Sequence, residues 1–429
     1  MERRLKAELW DKMHYLFRDF NDRVVHVELE YDYEINIEAL KTVLICSFEK
    51  IPVLHSSFTD NHVSPYWTVN RYSIDEVLSV VETDESSLKE KIDEFLTGEL
   101  PPEGNIQMKV RVFNHSGHST LCIIENHMCM DGGDFKSFLK DFCKNYNDYV
   151  SNGISPLELR KGSRSYTTVY KDFSPRDQKA AQNLYRNINK KDDHAFPLTK
   201  SSDSDKSFIA RRKIPAEKFA LIKSEGKKHG ATINDMLTAA YFYSLYELAG
   251  FRKDESVSIS CAIDLRRHLK STDNTGYTNH TAWMQVRIPE LGRDIFETLQ
   301  YAIRSSNQFK QDKYMGLYGL PLLSLGYKIM PHAASEEIIK IGYSNPLLAM
   351  SNIGILDVKK LSLEGHEPIN GFMSGAVKYK PYVLLSATSM RDEITLSICC
   401  RGNDEDKAII NKFFDLMEKN IDVLIGISE

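Results

Sequence analysis

Residues 121–146 constrain the fold more than any other stretch of the chain. They open as an apolar strand in which period-two alternation places Leu121, Ile123, Glu125 and His127 on one face and Cys122, Ile124 and Asn126 on the other. After Asp131-Gly132-Gly133 comes a helix with Asp134 as its expected N-cap. Its apolar residues Phe135, Phe138, Leu139, Phe142, Cys143 and Tyr146 recur at helical spacing. That helix must bury one whole stripe. His127 ends the strand pattern, and the two glycines beyond it let a backbone or a ligand approach closely.

The rest of the chain mixes strands and helices in the same way. The first part reads as a helix over 6–20, strands over 26–36 and 53–60, helices from Ile37 to just before Pro52 and over 87–97, and a hairpin turning at His115-Ser116-Gly117-His118. The second part reads as a strand over 207–215, helices over 216–230 and 232–249, and a strand over 257–264. A helix over 295–311, a strand over 347–356, a hairpin turning at Arg391-Asp392 and a final helix over 405–424 complete it. A polar stretch between the two parts holds one helix, over 175–189. The expectation is an α/β (α+β) fold in two similar halves, each a mixed sheet with flanking helices. The first half covers 1–165, a crossover linker 166–206, and the second half 207–429.

Charge and motifs exclude several function classes. With 55 Lys and Arg against 60 Asp and Glu, the net charge of −5 gives no general attraction to nucleic acid. The N-terminus lacks the apolar core of a signal peptide, and no apolar run reaches the ~18 residues of a membrane span, so a cytoplasmic protein is expected. The seven cysteines contain no C-x-x-C pair and sit mostly in apolar runs, which reads as buried thiols. A metal on His127 and Asp131 lacks a third ligand nearby, so no metal site is expected. Neither a G-x-x-x-x-G-K-[ST] nor a G-x-G-x-x-G motif is present. Arg211-Arg212-Lys213 reads as a solvated strand face, His115 and His118 as solvent-facing turn residues, and Cys129 as packing.

Histidine, with an ordinary pKa near 6.5, is suited to accept and return a proton at neutral pH, and a strand tip is an apt place for it. His127-x-x-x-Asp131-Gly132 resembles the His-His-x-x-x-Asp-Gly motif of the chloramphenicol acetyltransferase-like superfamily. That superfamily includes peptide-synthetase condensation domains, plant BAHD acyltransferases, wax ester synthases and alcohol acetyltransferases. Four further stretches resemble its motifs in order: Ile51-Pro52-Val53-Leu54, Thr232 to Leu237 (TINDML), Ala262 to Arg267 (AIDLRR) and Ser351-Asn352-Ile353-Gly354. Two positions depart from the pattern. Asn126 stands where many members have the first histidine, and His55 where many condensation domains have an arginine.

The resemblance implies two halves meeting at a central tunnel, with His127 midway as the general base of acyl transfer and no covalent acyl-enzyme. The donor would be acyl-coenzyme A or a phosphopantetheine thioester on an acyl or peptidyl carrier protein, the acceptor a small alcohol or amine, with no tightly bound cofactor. Asp131 would pair with Arg266 or, if it faced His127 directly, orient the ring, and Gly132 and Gly133 would shape the turn. Asn352 with Ser351 would face the tunnel, Asn352 as a donor to the oxyanion or acceptor, or would instead satisfy backbone in a bulge before Gly354. A single two-halved chain supplies both sides of such a site, so a monomer is expected. The alternative is a condensation-like module that has lost catalysis and serves for docking.

Overall fold

A computed structural model describes residues 3–153, 159–181, 190–272, 275–318, 320–342 and 345–427. The first sheet has five strands in the order Leu78–Glu82, Met108–His115, His118–Asn126, Val24–Tyr31 and Asn370–Ser374, antiparallel except for the first pair. Its central strand shows the expected alternation. Leu121 and Ile123 join the core under helices Ile37–Lys50 and Gly132–Asn152, whereas Cys122 and Ile124 pack with Ile92, Phe95 and Leu96 of helix Glu85–Leu96.

The second sheet has seven strands: Thr281–Ile288, Val257–Asp264, Leu348–Ile355, Val383–Met390, Glu393–Gly402 and Lys378–Tyr379 in that order, with Lys206–Ile214 also paired to Glu393–Gly402. Helices Ile233–Ala249, Ile295–Lys310 and Asp404–Leu424 bury Met236, Phe242, Leu299, Phe413 and Met417 against it. Helix Ile233–Ala249 starts where it does because Thr232 and Asp235 form a capping box, each side chain accepting from the other's backbone N–H.

One strand crosses from the second half to the first. Asn370–Ser374, from the stretch assigned by sequence to the second half, completes the first sheet against Val24–Tyr31. Gly371 permits the pairing, since a Cβ there would lie 2.4 Å from the Glu28 carbonyl oxygen. Arg211 also joins the halves, pairing with Glu28 at 3.1 Å and with Asp93. Arg211 thus departs from the expected solvated face, whereas Lys213 is exposed and pairs with Glu393, and half-buried Arg212 pairs with Asp415 and Glu418.

Other local expectations change for equally local reasons. Residues 4–6 pair with Tyr66–Val69 in a small three-stranded sheet, so the first helix is only Leu9–Leu16 followed by a 3-10 turn over Phe17–Asp19. His115 and His118 lie opposite each other in the hairpin register, so their rings stack at 5.7 Å and His115 is buried rather than solvent-facing. The linker helix is Pro175–Ala181 in the described residues, and its expected continuation over 182–189 lies outside them. Helices Leu320–Ile329 and His332–Gly342 were not foreseen, because Gly326 and Pro331 interrupt their periodicity. Among the described residues no helix is long and apolar enough to cross a membrane. All seven cysteines are free thiols, six of them buried.

Candidate active site

The turn after the central strand is built by Asn126. Its Oδ1 accepts from the Met128 N–H at 3.0 Å and its Nδ2 donates to Gln107 Oε1 at 2.8 Å, so the amide points away from His127 as alternation requires. The His127 N–H donates to the Arg23 carbonyl at 2.7 Å, which fixes the backbone and leaves the half-buried imidazole free to be aimed by its surroundings.

Asn279 does the aiming. Its Nδ2 donates to the His127 carbonyl at 2.8 Å and lies 3.4 Å from that of Met128. Carbonyl oxygens only accept, so this assigns the amide and turns Oδ1 toward His127 Nδ1 at 3.0 Å. An amide oxygen also only accepts. Nδ1 therefore carries the ring proton and Nε2 the lone pair, the tautomer a general base needs. The His14 ring stacks on His127 with centroids 4.1 Å apart. Burial lowers the pKa of both rings, and His127 and Lys378 add like-charge repulsion at His14.

Four residues on, Asp131 is saturated. Oδ1 accepts from the Asp134 N–H (2.9 Å), and Oδ2 takes Arg266 (3.0 Å), the His280 N–H (2.6 Å) and Thr281 Oγ1 (3.0 Å). Asp131 is thus the N-cap of helix Gly132–Asn152, in place of the expected Asp134. The Asp134 carboxylate instead meets Arg160, Arg266 (2.8 Å) and the Thr278 N–H (2.8 Å). Arg266 also reaches Asp264 at 2.9 Å. Despite the opposing desolvation, these charges and donors hold the Asp131 carboxyl well below its usual range and lift Arg266 above its own.

Gly133 lets that cluster close: a Cβ there would lie 3.2 Å from an Arg266 nitrogen and 3.2 Å from Asp131 Oδ1. At Gly132 a Cβ would meet only Met373, at ordinary contact distance. His55 takes no part, since its Nδ1 is at 2.7 Å from the Asn70 carbonyl. The loop is secured instead by Arg164, which donates to Asp11 and to the carbonyls of Met128 and Cys129.

Ser351 and Asn352 lie on strand Leu348–Ile355, where the register shifts between Asn352 and Gly354. Asn352 is exposed and its Oδ1 accepts from the Gly354 N–H at 3.0 Å, so the amide holds a bulge. Lys136 of the helix that Asp131 caps donates to the adjacent Ile353 carbonyl, so the bulge abuts that helix. Among the described residues no hydrogen bond links Ser351 or Asn352 to His127.

Two features lie elsewhere. Asp60, His332 and Glu336 bring three possible metal-ligand atoms within 4.8 Å of one another, with Arg18 3.5 Å from Glu336. A cavity of about 590 Å³ opens between strand Thr281–Ile288 and helix Ile295–Lys310, lined by Lys190, Arg287, Arg304 and Tyr301. Neither shares a residue with the His127 cluster.

Asn279 and His14 were not found by sequence reasoning. Tyr277 to Thr281 forms no motif of its own, and nothing in the amphipathic pattern of residues 6–20 marks His14 as a site residue.

The model of the condensation-domain family matches residues 15–319, well over half of the chain. The chain belongs to the condensation-domain family. Its fold is shared by the first condensation domain of the calcium-dependent antibiotic synthetase in complex with a substrate analogue (13% identity, 99% and 96% of the two chains covered, TM-score 0.69). It is shared also by the trichothecene 15-O-acetyltransferase of Fusarium sporotrichioides (13%, 98% and 96%, 0.68) and polyketide synthase associated protein 5 of Mycobacterium tuberculosis (13%, 98% and 97%, 0.68). A search of curated protein sequences gives no match. Family membership places the chain in the broad class of acyl or peptidyl transfer.

Proposed function

We propose that this condensation-family protein transfers an acyl group from a thioester, on coenzyme A or a carrier protein, to an alcohol or amine, with His127 as general base. The observation that carries the reading is the lock on His127. Asn279 holds the proton on Nδ1, burial keeps the ring neutral, and Nε2 is left with an unshared pair.

Nε2 takes the proton from the acceptor hydroxyl or amine as that atom bonds to the thioester carbonyl carbon. The carbon–sulfur bond breaks, and the proton held on Nε2 passes to the departing thiolate. With a thiol pKa near 8.5 the leaving group needs little help, so one histidine suffices. Asn352 Nδ2, not used in holding the bulge, is the candidate donor to the oxyanion. Asp131 and Arg266 are positioning residues: they fix the turn that presents His127 and dock the segment that carries Asn279.

The test is mass-spectrometric detection of free coenzyme A and acyl products after incubation with acetyl- to palmitoyl-coenzyme A, or an acylated carrier protein, and a pool of alcohols and amines. Turnover by the wild type that His127→Ala abolishes is the expected result. Turnover that survives in His127→Ala overturns the assignment, and no turnover with either donor class favours a docking module.

A further inference from the structure

We propose that Lys378 is the anchor of a carboxylate-binding subsite beside His127, so that the substrate reacting there carries a carboxylate close to its reacting centre. This rests on the reading of His127 as the base.

The backbone places Lys378 one layer from the site. Residues 20–22 run beside Val377 to Tyr379: the Asp22 N–H donates to the Val377 carbonyl (3.1 Å), the Tyr379 N–H to the Phe20 carbonyl (3.0 Å), and Asn21 bridges Lys378. The next residue, Arg23, supplies the carbonyl that receives the His127 N–H. Both stacked rings register the lysine's positive charge, which disfavours protonation of His14 and of His127.

What sets Lys378 apart is the absence of a counter-ion. Among the described residues no carboxylate lies within ion-pair distance of its ammonium and no hydrogen bond reaches it. Two residues on, Lys380 is held by Asp205 and Asp406, each at 2.8 Å. Asp22, the carboxyl facing Lys378, spends Oδ1 on the N–H groups of Val24 and Val377, and burial pushes it up to about 7. From the neighbouring strand Cys399 stays a neutral thiol, and Arg23 adds its like charge at His14. Burial accordingly lowers the Lys378 ammonium to about 8. A half-buried cation without a partner is costly, and an incoming anion recovers that cost as a charge-assisted hydrogen bond.

The phosphates of a phosphopantetheine donor lie a full pantetheine arm from the thioester, so they do not meet a lysine beside the base. The anion must sit within a few bonds of the reacting carbonyl or nucleophile. Two sources share this chemistry: a hydroxy- or amino-acid acceptor, and a dicarboxylic acyl group on the donor.

The experiment compares matched pairs on the full chain: 1-butanol with 4-hydroxybutyrate, butylamine with 4-aminobutyrate, and acetyl- with succinyl-coenzyme A, for wild type, Lys378→Met and Lys378→Arg. The readout is the ratio of kcat/KM within each pair. The wild type should favour the carboxylate member of the acceptor or the donor pairs by about tenfold or more, which tells the two sources apart. Lys378→Met should collapse that ratio through KM, and Lys378→Arg should keep it. In parallel, the His127 and His14 ring resonances of labelled protein are titrated with succinate and with succinamide at matched ionic strength. Shifts with succinate alone, lost in Lys378→Met, support the subsite even if no turnover is found. Turnover without preference, a preference that survives in Lys378→Met, or succinate without effect overturns the subsite while leaving the function of His127 standing.

Discussion

His127 and Asp131 stand four residues apart in one loop, yet they are held in opposite ways. Among the described residues the His127 ring makes one side-chain hydrogen bond and lies against one aromatic neighbour, with Nε2 open. The Asp131 carboxylate takes four donors and has no open position. A group that must exchange a proton cannot be saturated, and a group that must hold two halves of a chain together cannot be left free. Within one short motif, then, the proposed function gives the histidine to chemistry and the aspartate to assembly.

The strongest way to break this contrast is to remove each partner and measure both properties. His127→Ala should reduce turnover by roughly 10²–10⁴-fold and leave the urea midpoint near that of the wild type. Arg266→Met should do the reverse in kind. It takes the paired cation from buried Asp131 and leaves buried Asp134 with Arg160, a loss of about 3–5 kcal/mol read in urea unfolding. A large stability loss in His127→Ala, or an unchanged midpoint in Arg266→Met, would erase the distinction.

The same contrast explains what could be read from sequence. The strand, the glycine turn and the striped helix are local, and their periodicities show in residues 121–146 alone. The pairing of Asp131 with Arg266 was foreseen only through the family resemblance. Either aspartate could have capped the helix by pattern. Asp131 does so because Gly132 and Gly133 enter the helix, which puts the Asp134 N–H over its side chain. Asn279 lies 152 residues from His127 in sequence, and its role depends on how strand Thr281–Ile288 docks. The crossing strand Asn370–Ser374 is five residues long with a glycine inside, too short to show a period.

Asn279 offers a finer test of the chemical side. Asn279→Ala removes the acceptor for Nδ1–H and frees the tautomer, which should lower kcat by up to about tenfold, the worth of one hydrogen bond. The pH profile sharpens it. A base works only when neutral, so activity should fall as pH drops through the His127 pKa, which burial sets below the ordinary 6.5. The hydrogen bond from Nδ1–H to Asn279 favours the protonated ring, so in Asn279→Ala the acid limb should move further down. An acid limb above 6.5 in the wild type would contradict a buried neutral base.

The smallest expected effect concerns a third acid of the same segment, held differently again. Glu125 shares the strand face of His127 and is fully buried. Its Oε1 accepts from the Met130 N–H at 3.1 Å, and its Oε2 has no partner among the described residues. Burial raises its carboxyl well above the ordinary range, so in the folded chain it keeps its proton where the unfolded chain has lost it. A raised carboxyl pKa stabilises fully below the unfolded value near 4.3, and that contribution declines as pH rises toward the folded one. Glu125→Gln supplies a neutral group of the same shape with an acceptor for Met130. Its melting temperature should match the wild type at pH 4 and exceed it modestly at pH 8. An equal loss at both values would mean that Glu125 is ionised and paired, and that this loop contains a second saturated carboxylate rather than a neutral acid beside its base.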